Sequence, residues 1–306
     1  MNTVYFDSPA TDDQRRAALF EGQIFAYSPR PSVRALVDFA REFIEDAFGN
    51  LDPLTAQHQL APDAYEQLLT DFKPTFINHP HSKRLVQDLL LDFGCNPELT
   101  YFDVPRLRTS TSHQYLTRGL AYSFEAHRDT WFSGPMNQIN WWLPVYEYES
   151  GNGVAVHPQY WHQAVPNGSE GFNCHDWDAE GRRIAASPGT PDRRRRPQPD
   201  AALPLDPQVR LVLPVGGVMA FSAAHLHSTV PNQTGRSRFS IDFRMVNLDD
   251  VRRRRAAPNL DTRCTGTTLG VYYRLSDHAR IPQELVAEYE KGTPTINPAH
   301  LVSQPI

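Results

Sequence analysis

Two imidazoles and a carboxylate carry the most specific chemistry in this chain. His127 and Asp129 flank Arg128, and a third candidate ligand follows far downstream, at His225 or His227. Two histidines and one carboxylate form the facial set that holds a non-haem Fe(II) while leaving positions open. Beyond the distal histidines comes Arg238-Phe239-Ser240. An arginine fork matches a carboxylate bidentately, so Arg238 with the Ser240 hydroxyl suits a bound dicarboxylate co-substrate. His-x-Asp alone is a common, weak pair. Joined in order to a distal histidine and Arg-x-Ser, it becomes a much stronger signal.

The elements that must position these residues read as short strands. Residues two apart on a strand share a face, so a strand over 119–129 would aim His127 and Asp129 at one ion. His225 and His227 would also face one way, but about 7 Å apart along a strand, so only one reaches the ion. The strand 237–246 decides between them. If Arg238 and Ser240 face inward, so do Asp242 and Arg244, while Phe239, Ile241, Phe243 and Met245 offer an apolar outer face. His225 would pair with Arg236, which has no hydroxyl two residues later, so His227 is the expected third ligand.

Further strands are expected over 99–109 (interrupted by Pro105), 137–146, 153–157, 209–213, 218–222 and 226–230, with turn residues between them. In 137–146, Gln138, Asn140 and Trp142 alternate with Ile139, Trp141 and Leu143. The first hundred residues read helical. Val33, Leu36, Val37, Ala40, Phe43, Ile44, Ala47 and Phe48 recur at helical spacing before Gly49. A second helix is expected from Pro62 toward Phe72, stopping before Pro74. A third should start after Ser82 as N-cap and end at Gly94. The arginine-bearing stretches 185–207 and 249–258 read as surface loops, and a short helix is expected near 283–291. The fold class is therefore mainly β with flanking helices: a closed or two-sheet β architecture, such as a jelly roll, with the helices packed on its larger sheet. The expected organisation is one domain over 1–306: a mainly helical part (1–98), the β core (99–248), and a loop with a C-terminal helix (249–306).

Composition narrows the function classes. A net charge of −5 over 306 residues gives no basic signature of nucleic-acid binding. No apolar run is long enough to span a membrane. Met1 to Asp7 show neither the basic nor the apolar region of a signal peptide. Cys95, Cys174 and Cys264 are odd in number and widely spaced, which argues against a disulfide framework or paired-cysteine zinc site. A reducing cytoplasm is the expected location.

The ordered set His127-Arg128-Asp129, Gly151-Asn152-Gly153 with Val156-His157-Pro158, His227 through Asn232, and Arg238-Phe239-Ser240 resembles the Fe(II)/2-oxoglutarate-dependent oxygenases. Within them it looks most like the phytanoyl-CoA dioxygenase-like branch. The resemblance covers roughly the central half of the chain. It departs after Val156, where His157-Pro158-Gln159-Tyr160-Trp161-His162 replaces the usual Pro-Gly-Ser-His turn. The resemblance implies a cupin-like double-stranded β-helix, iron held by His127, Asp129 and His227, and 2-oxoglutarate with its far carboxylate on Arg238 and Ser240. It also implies Asn140 or Gln138 beside the co-substrate, and O₂-dependent oxidation of a substrate C–H bond coupled to decarboxylation. Because Asp129 is present, the halogenase variant, which has a small residue there, is not expected.

For the remaining residues the ordinary readings weigh more. His157, His162 and His175 read as structural or loop histidines, His225 as a packing residue, and Arg106 and Arg108 as solvated. Trp131, Trp142, Tyr122 and Arg118 are candidate substrate contacts. Arg244 is divided between substrate contact and a buried pair with Asp242. The expected substrate is a small molecule in natural-product or amino-acid tailoring, with a carrier-linked form kept open by the arginine runs; no nucleic-acid or membrane partner is expected. Two other classes stay in view: a cupin-type metalloenzyme that does not use 2-oxoglutarate, and a jelly-roll binding protein without turnover.

Overall fold

A computed structural model describes residues 3–117, 119–121, 125–185 and 195–291. Helix α1 (Asp12–Phe20) opens with a capping box, Thr11 and Gln14 each accepting from the other's backbone N–H. Helix α2 (Pro31–Phe48) starts on a proline and buries Val33, Leu36, Val37, Ala40, Ile44 and Phe48 of the expected stripe, with Phe43 and Ala47 half-buried at its edge. Helix α3 (Pro62–Asn78) does not stop at Pro74. Proline loses one helical hydrogen bond there, but Phe76, two residues beyond it, is fully buried and continues the stripe of Tyr65, Leu69 and Phe72. Tertiary packing overrides the local breaker. Helix α4 (Pro80–Asp92) is capped by the His79 ring, not by Ser82. Ser82 is buried inside the helix, and its hydroxyl donates to Phe76 O at 2.6 Å, tying α4 to the end of α3.

Eleven strands follow the described chain: β1 (Val4–Phe6), β2 (Ile24–Tyr27), β3 (Thr100–Phe102), β4 (Arg106–Ser110), β5 (Ile139–Pro144), β6 (Val154–Val156), β7 (Val209–Arg210), β8 (Val218–Ser222), β9 (His227–Thr229), β10 (Arg238–Asn247) and β11 (Tyr273–Arg274). The larger sheet runs β1-β2-β8-β5-β10-β3-β11, with β4 also paired to β10; the smaller runs β7-β6-β9. All pairs are antiparallel except β1 with β2. The two sheets form a jelly roll. Strands β1 and β2 were not expected in the N-terminal part. Ile24-Phe25-Ala26-Tyr27 is a fully buried apolar run, and so short a run does not declare its period.

The larger sheet separates two cores. Its outer face packs Phe239, Ile241, Phe243, Met245, Trp141, Leu143 and Leu107 against α2, α3 and α4. Its inner face sets Trp142, Met219, Phe221, Ile24 and Ala26 against Tyr148, Val156 and Leu213 toward the smaller sheet. Strand β10 thus has the two faces its alternation predicts.

Two expectations for the connections are corrected. Among the described residues of 119–129 none lies in a strand: 3₁₀ turns stand at Gly119–Ala121 and Asp129–Phe132, and His127 makes a single bridge to His227. The stretch 249–258 is not a solvated loop throughout. It contains most of helix α6 (Leu248–Arg253), and Asp250, 1% exposed, accepts from Arg16 Nε at 2.6 Å and from Arg255. Helix α5 (Cys174–Ala185) precedes residues 186–194, which lie outside the described set, and α7 (Gln283–Lys291) lies at the expected place. No described helix is long and apolar enough to cross a membrane.

Phe243 joins the helices to the centre of the larger sheet, so Phe243→Ala should cost about 3–5 kcal/mol of stability in denaturant unfolding. A loss below about 1 kcal/mol would contradict this packing.

Candidate metal centre and anion pocket

His127 is joined to His227 by two backbone hydrogen bonds, His127 N to His227 O and His227 N to His127 O, each 2.9 Å. The bridge sets the two rings side by side, centroids 4.3 Å apart. Each ring is oriented by a carbonyl two residues upstream: His127 Nδ1 lies 2.8 Å from Glu125 O, and His227 Nδ1 lies 3.0 Å from His225 O. A carbonyl only accepts, so each Nδ1 carries the proton and donates. That is the arrangement that readies the opposite ring nitrogen for a metal. Asp129 follows as its N–H donates to Ala223 O at 3.0 Å. Its Oδ1 then stands 3.3 Å from His127 Nε2 and 3.8 Å from His227 Nε2.

The donor set fits a divalent cation. One ligand atom from each of His127, Asp129 and His227 lies within 4.8 Å of the others. Atoms bonded to one ion at about 2.1 Å and at right angles stand about 3 Å apart. Burial, and then the neighbouring His127, push His227 down to about 4, so it presents a neutral lone pair. Burial opposes ionisation of Asp129, but the positive Arg244 guanidinium beside it outweighs burial and holds the carboxyl well below its usual range. Lone pairs facing a carboxylate at these distances are reconciled by a shared cation.

The other oxygen of Asp129 is occupied. Gln138 Nε2 donates to Oδ2 at 3.2 Å, and Arg244 Nε lies 3.4 Å from it. Gln138 is itself fixed: it donates to Asn140 Oδ1 at 2.9 Å, while Tyr272 OH donates to its Oε1 at 2.9 Å.

A cavity of about 100 Å³ lies between the sheets, lined by all three candidate ligands and by Asn140, Trp142, Phe221 and Arg238 among others. Arg238 is 5% exposed and donates to Ser240 Oγ, with its guanidinium over the Trp142 ring. Among the described residues no carboxylate lies within ion-pair distance of it, and its Nε has no hydrogen-bond partner. Burial pushes it down to about 10, still charged at neutral pH. The nearest carboxylate on the same strand face, Asp242, is taken by Arg108, Nε to Oδ2 at 2.5 Å. A buried cation without a counterion is costly, and the cavity beside it gives an anion access.

The structure brings His127, Asp129, His227, Arg238, Ser240, Asn140, Trp142 and Arg244 to this region. Gln138 is placed behind the carboxylate, off the cavity wall, with its amide hydrogens committed to Asp129 and Asn140. Trp131 is corrected as a substrate contact. It is fully buried among Ala126, Tyr160, Val165 and Leu226, and its indole donates to Asp261 at 2.7 Å. His225 is fully buried with its ring 4.4 Å from the Trp161 ring, pushed down to about 3 by burial. Arg244 pairs with Asp129 and Asp103, not with Asp242. Tyr122 and Arg118 lie outside the described residues. His157 is structural, bonding Leu205 O and Ser228.

Sequence reasoning missed Arg128, Tyr272 and the Arg108–Asp242 pair. Arg128 is 3% exposed; it binds Asp261 at 3.0 Å and the carbonyls of Ala224, Tyr160 and Gln163, fastening the ligand turn to two other segments. Its signal was its place between the two ligands, facing away from the ion. Tyr272 lies in a stretch without periodicity and left no signal.

No family model matches the chain, and no curated protein matches its sequence significantly. Solved structures do resemble it. EvdO2 from Micromonospora carbonacea var. aurantiaca aligns with 13% identity and a TM-score of 0.44, over 78% of this chain and 92% of that one. EctD from S. alaskensis, solved with 2-oxoglutarate and 5-hydroxyectoine, aligns with 14% identity and a TM-score of 0.44, over 95% and 88%. The epimerase SnoN, solved with Fe3+, alpha ketoglutarate and nogalamycin RO, aligns with 14% identity and a TM-score of 0.40, over 76% and 82%.

In anaerobic titration with Fe(II), His127→Ala and His227→Ala should each abolish tight binding while circular dichroism stays native. His225→Ala should retain binding. Loss of binding in His225→Ala with retention in His227→Ala would reverse the ligand assignment.

Proposed function

We propose that this protein is a non-haem Fe(II)/2-oxoglutarate-dependent oxygenase that oxidises a C–H bond of a small molecule, by hydroxylation or by diversion to desaturation or cyclisation. The observation that carries this reading is Arg238: a buried guanidinium without a carboxylate partner, in the cavity where three metal-ligand atoms converge. A cupin-type enzyme that does not use 2-oxoglutarate, or a binding protein without turnover, has no call for both features at once. The motif order His-x-Asp, His, Arg-x-Ser supports placing the chain near the phytanoyl-CoA dioxygenase-like branch.

Bound Fe(II), with 2-oxoglutarate and O₂, supplies an oxidant able to abstract a hydrogen atom from carbon, the co-substrate leaving as succinate and CO₂. The protein's residues prepare for that chemistry. His127 and His227 keep their Nδ1 protons on backbone carbonyls, so that Nε2 stays available as an electron-pair donor. Arg238 and Ser240 bind the distal carboxylate of 2-oxoglutarate, and Trp142 flanks the guanidinium. Val154 and Phe221 give the cavity apolar walls that exclude water. The Arg108–Asp242 pair presents a polar wall to the substrate side. The small-molecule substrate, in free or carrier-linked form, enters this cavity.

Anaerobic Fe(II) and 2-oxoglutarate should together give a weak visible charge-transfer band. Arg238→Met should weaken 2-oxoglutarate binding at least about 30-fold, the result of removing about 2 kcal/mol of charge-paired contact, with Fe(II) affinity intact. No band in the unmodified protein would overturn the proposal.

A further inference from the structure

The two oxygens of Asp129 have different surroundings, and the difference decides how many positions on an ion stay open. Oδ1 faces the two imidazoles. Oδ2 faces Gln138 Nε2 at 3.2 Å and Arg244 Nε at 3.4 Å, on the side away from the histidines. We propose that Arg244 and Gln138 are positioning residues that hold Asp129 to one-armed ligation, offering Oδ1 alone to the ion. This rests on the function proposed above.

The geometry of both partners supports it. The Gln138 amide is set by the Asp129 carboxylate: turned around, its Oε1 would face Oδ2, an acceptor, whereas as it stands Nε2 donates to Oδ2 and to Asn140 Oδ1 and Oε1 accepts from the Tyr272 hydroxyl. Both amide hydrogens therefore point at acceptors, one of them Asp129. Arg244 is anchored from its other side by Asp103, which is 1% exposed. Asp103 Oδ1 accepts from Arg244 N at 2.7 Å, Asp103 N donates to Arg244 O at 3.0 Å, and Asp103 Oδ2 lies 3.9 Å from Arg244 NH1. That clasp is mostly backbone, and Asp103 keeps a second partner in Arg106 at 2.5 Å. The guanidinium can thus be removed without orphaning Asp103 or breaking the clasp.

The consequence is a count of positions. A carboxylate binds a metal through one oxygen or two. Two histidines and one carboxylate oxygen leave three positions of an octahedron open on one face. 2-Oxoglutarate chelating through two atoms takes two of them and O₂ needs the third. A two-armed Asp129 would close that third position. Neighbours of this kind typically change metal affinity by 10–100-fold when removed.

The test uses the full chain, loaded anaerobically with Fe(II) and 2-oxoglutarate, and nitric oxide as a probe of the third position. The unmodified protein should show the charge-transfer band and, on addition of nitric oxide, the high-spin iron–nitrosyl electron paramagnetic resonance signal. Arg244→Leu should keep the band but bind nitric oxide at least about tenfold more weakly, with Fe(II) affinity also reduced about tenfold. Arg244→Lys, which restores a cation beside Oδ2, should recover most of both. Gln138→Met should shift the same readouts, and it carries the test if Arg244→Leu does not fold. Nitric oxide and Fe(II) affinities within about twofold of the unmodified protein in both variants would overturn the positioning role, even if thermal stability falls. Absence of the band in the unmodified protein would instead overturn the function on which this rests.

Discussion

Everything at the candidate centre depends on one pair of backbone hydrogen bonds, His127 with His227. Each donates and accepts at 2.9 Å. The bridge is the step that brings a residue from the middle of the chain beside one far downstream. It fixes the spacing of the rings, and the next carbonyls upstream, Glu125 and His225, fix their tautomers. Asp129 then needs only a tight turn, Asp129–Phe132, to reach the same point. Arg128 holds that turn from behind through Asp261 and three carbonyls, so His127 and Asp129 sit on a segment that is not a regular strand and is still fastened on several sides, while His227 opens β9.

Strand β10 supplies the second constraint. Its odd-numbered residues, Phe239 to Met245, close the core beneath the helices. Its even-numbered residues carry polar chemistry into the cavity: Arg238 and Ser240 at one end, Arg244 beside Asp129 at the other, and Asp242 between them held by Arg108. A one-residue slip in register would expose the apolar row and bury the polar one in the helical core. The same burial that stabilises the fold therefore fixes the distance between the anion pocket and the ligand group.

Much of this was legible in the sequence because it is written in short periods. The alternation of β10 and of residues 139–144, the helical stripe of α2, and the preference for His227 over His225 all follow from faces. What was not legible depends on partners. A strand over 119–129 was a reasonable extension from His-x-Asp, yet a single bridge sufficed. The apolar residues of β2 carried no readable period. Pro74 sits inside α3 because Phe76 is buried beyond it. Trp131 faces Asp261, and Arg244 chose Asp129 and Asp103 over Asp242. Alternation says which way a side chain points and is silent about which distant group meets it.

The central claim is that three ligand atoms and one buried arginine share a single metal-and-anion site. The most direct measurement is a crystal structure grown anaerobically with Fe(II) and 2-oxoglutarate, with anomalous diffraction at the iron edge. The account predicts one iron peak about 2.0–2.2 Å from His127 Nε2, Asp129 Oδ1 and His227 Nε2, with the distal carboxylate of 2-oxoglutarate on Arg238 and Ser240. An iron peak away from these atoms, or a co-substrate whose carboxylates leave Arg238 unpaired, would contradict it.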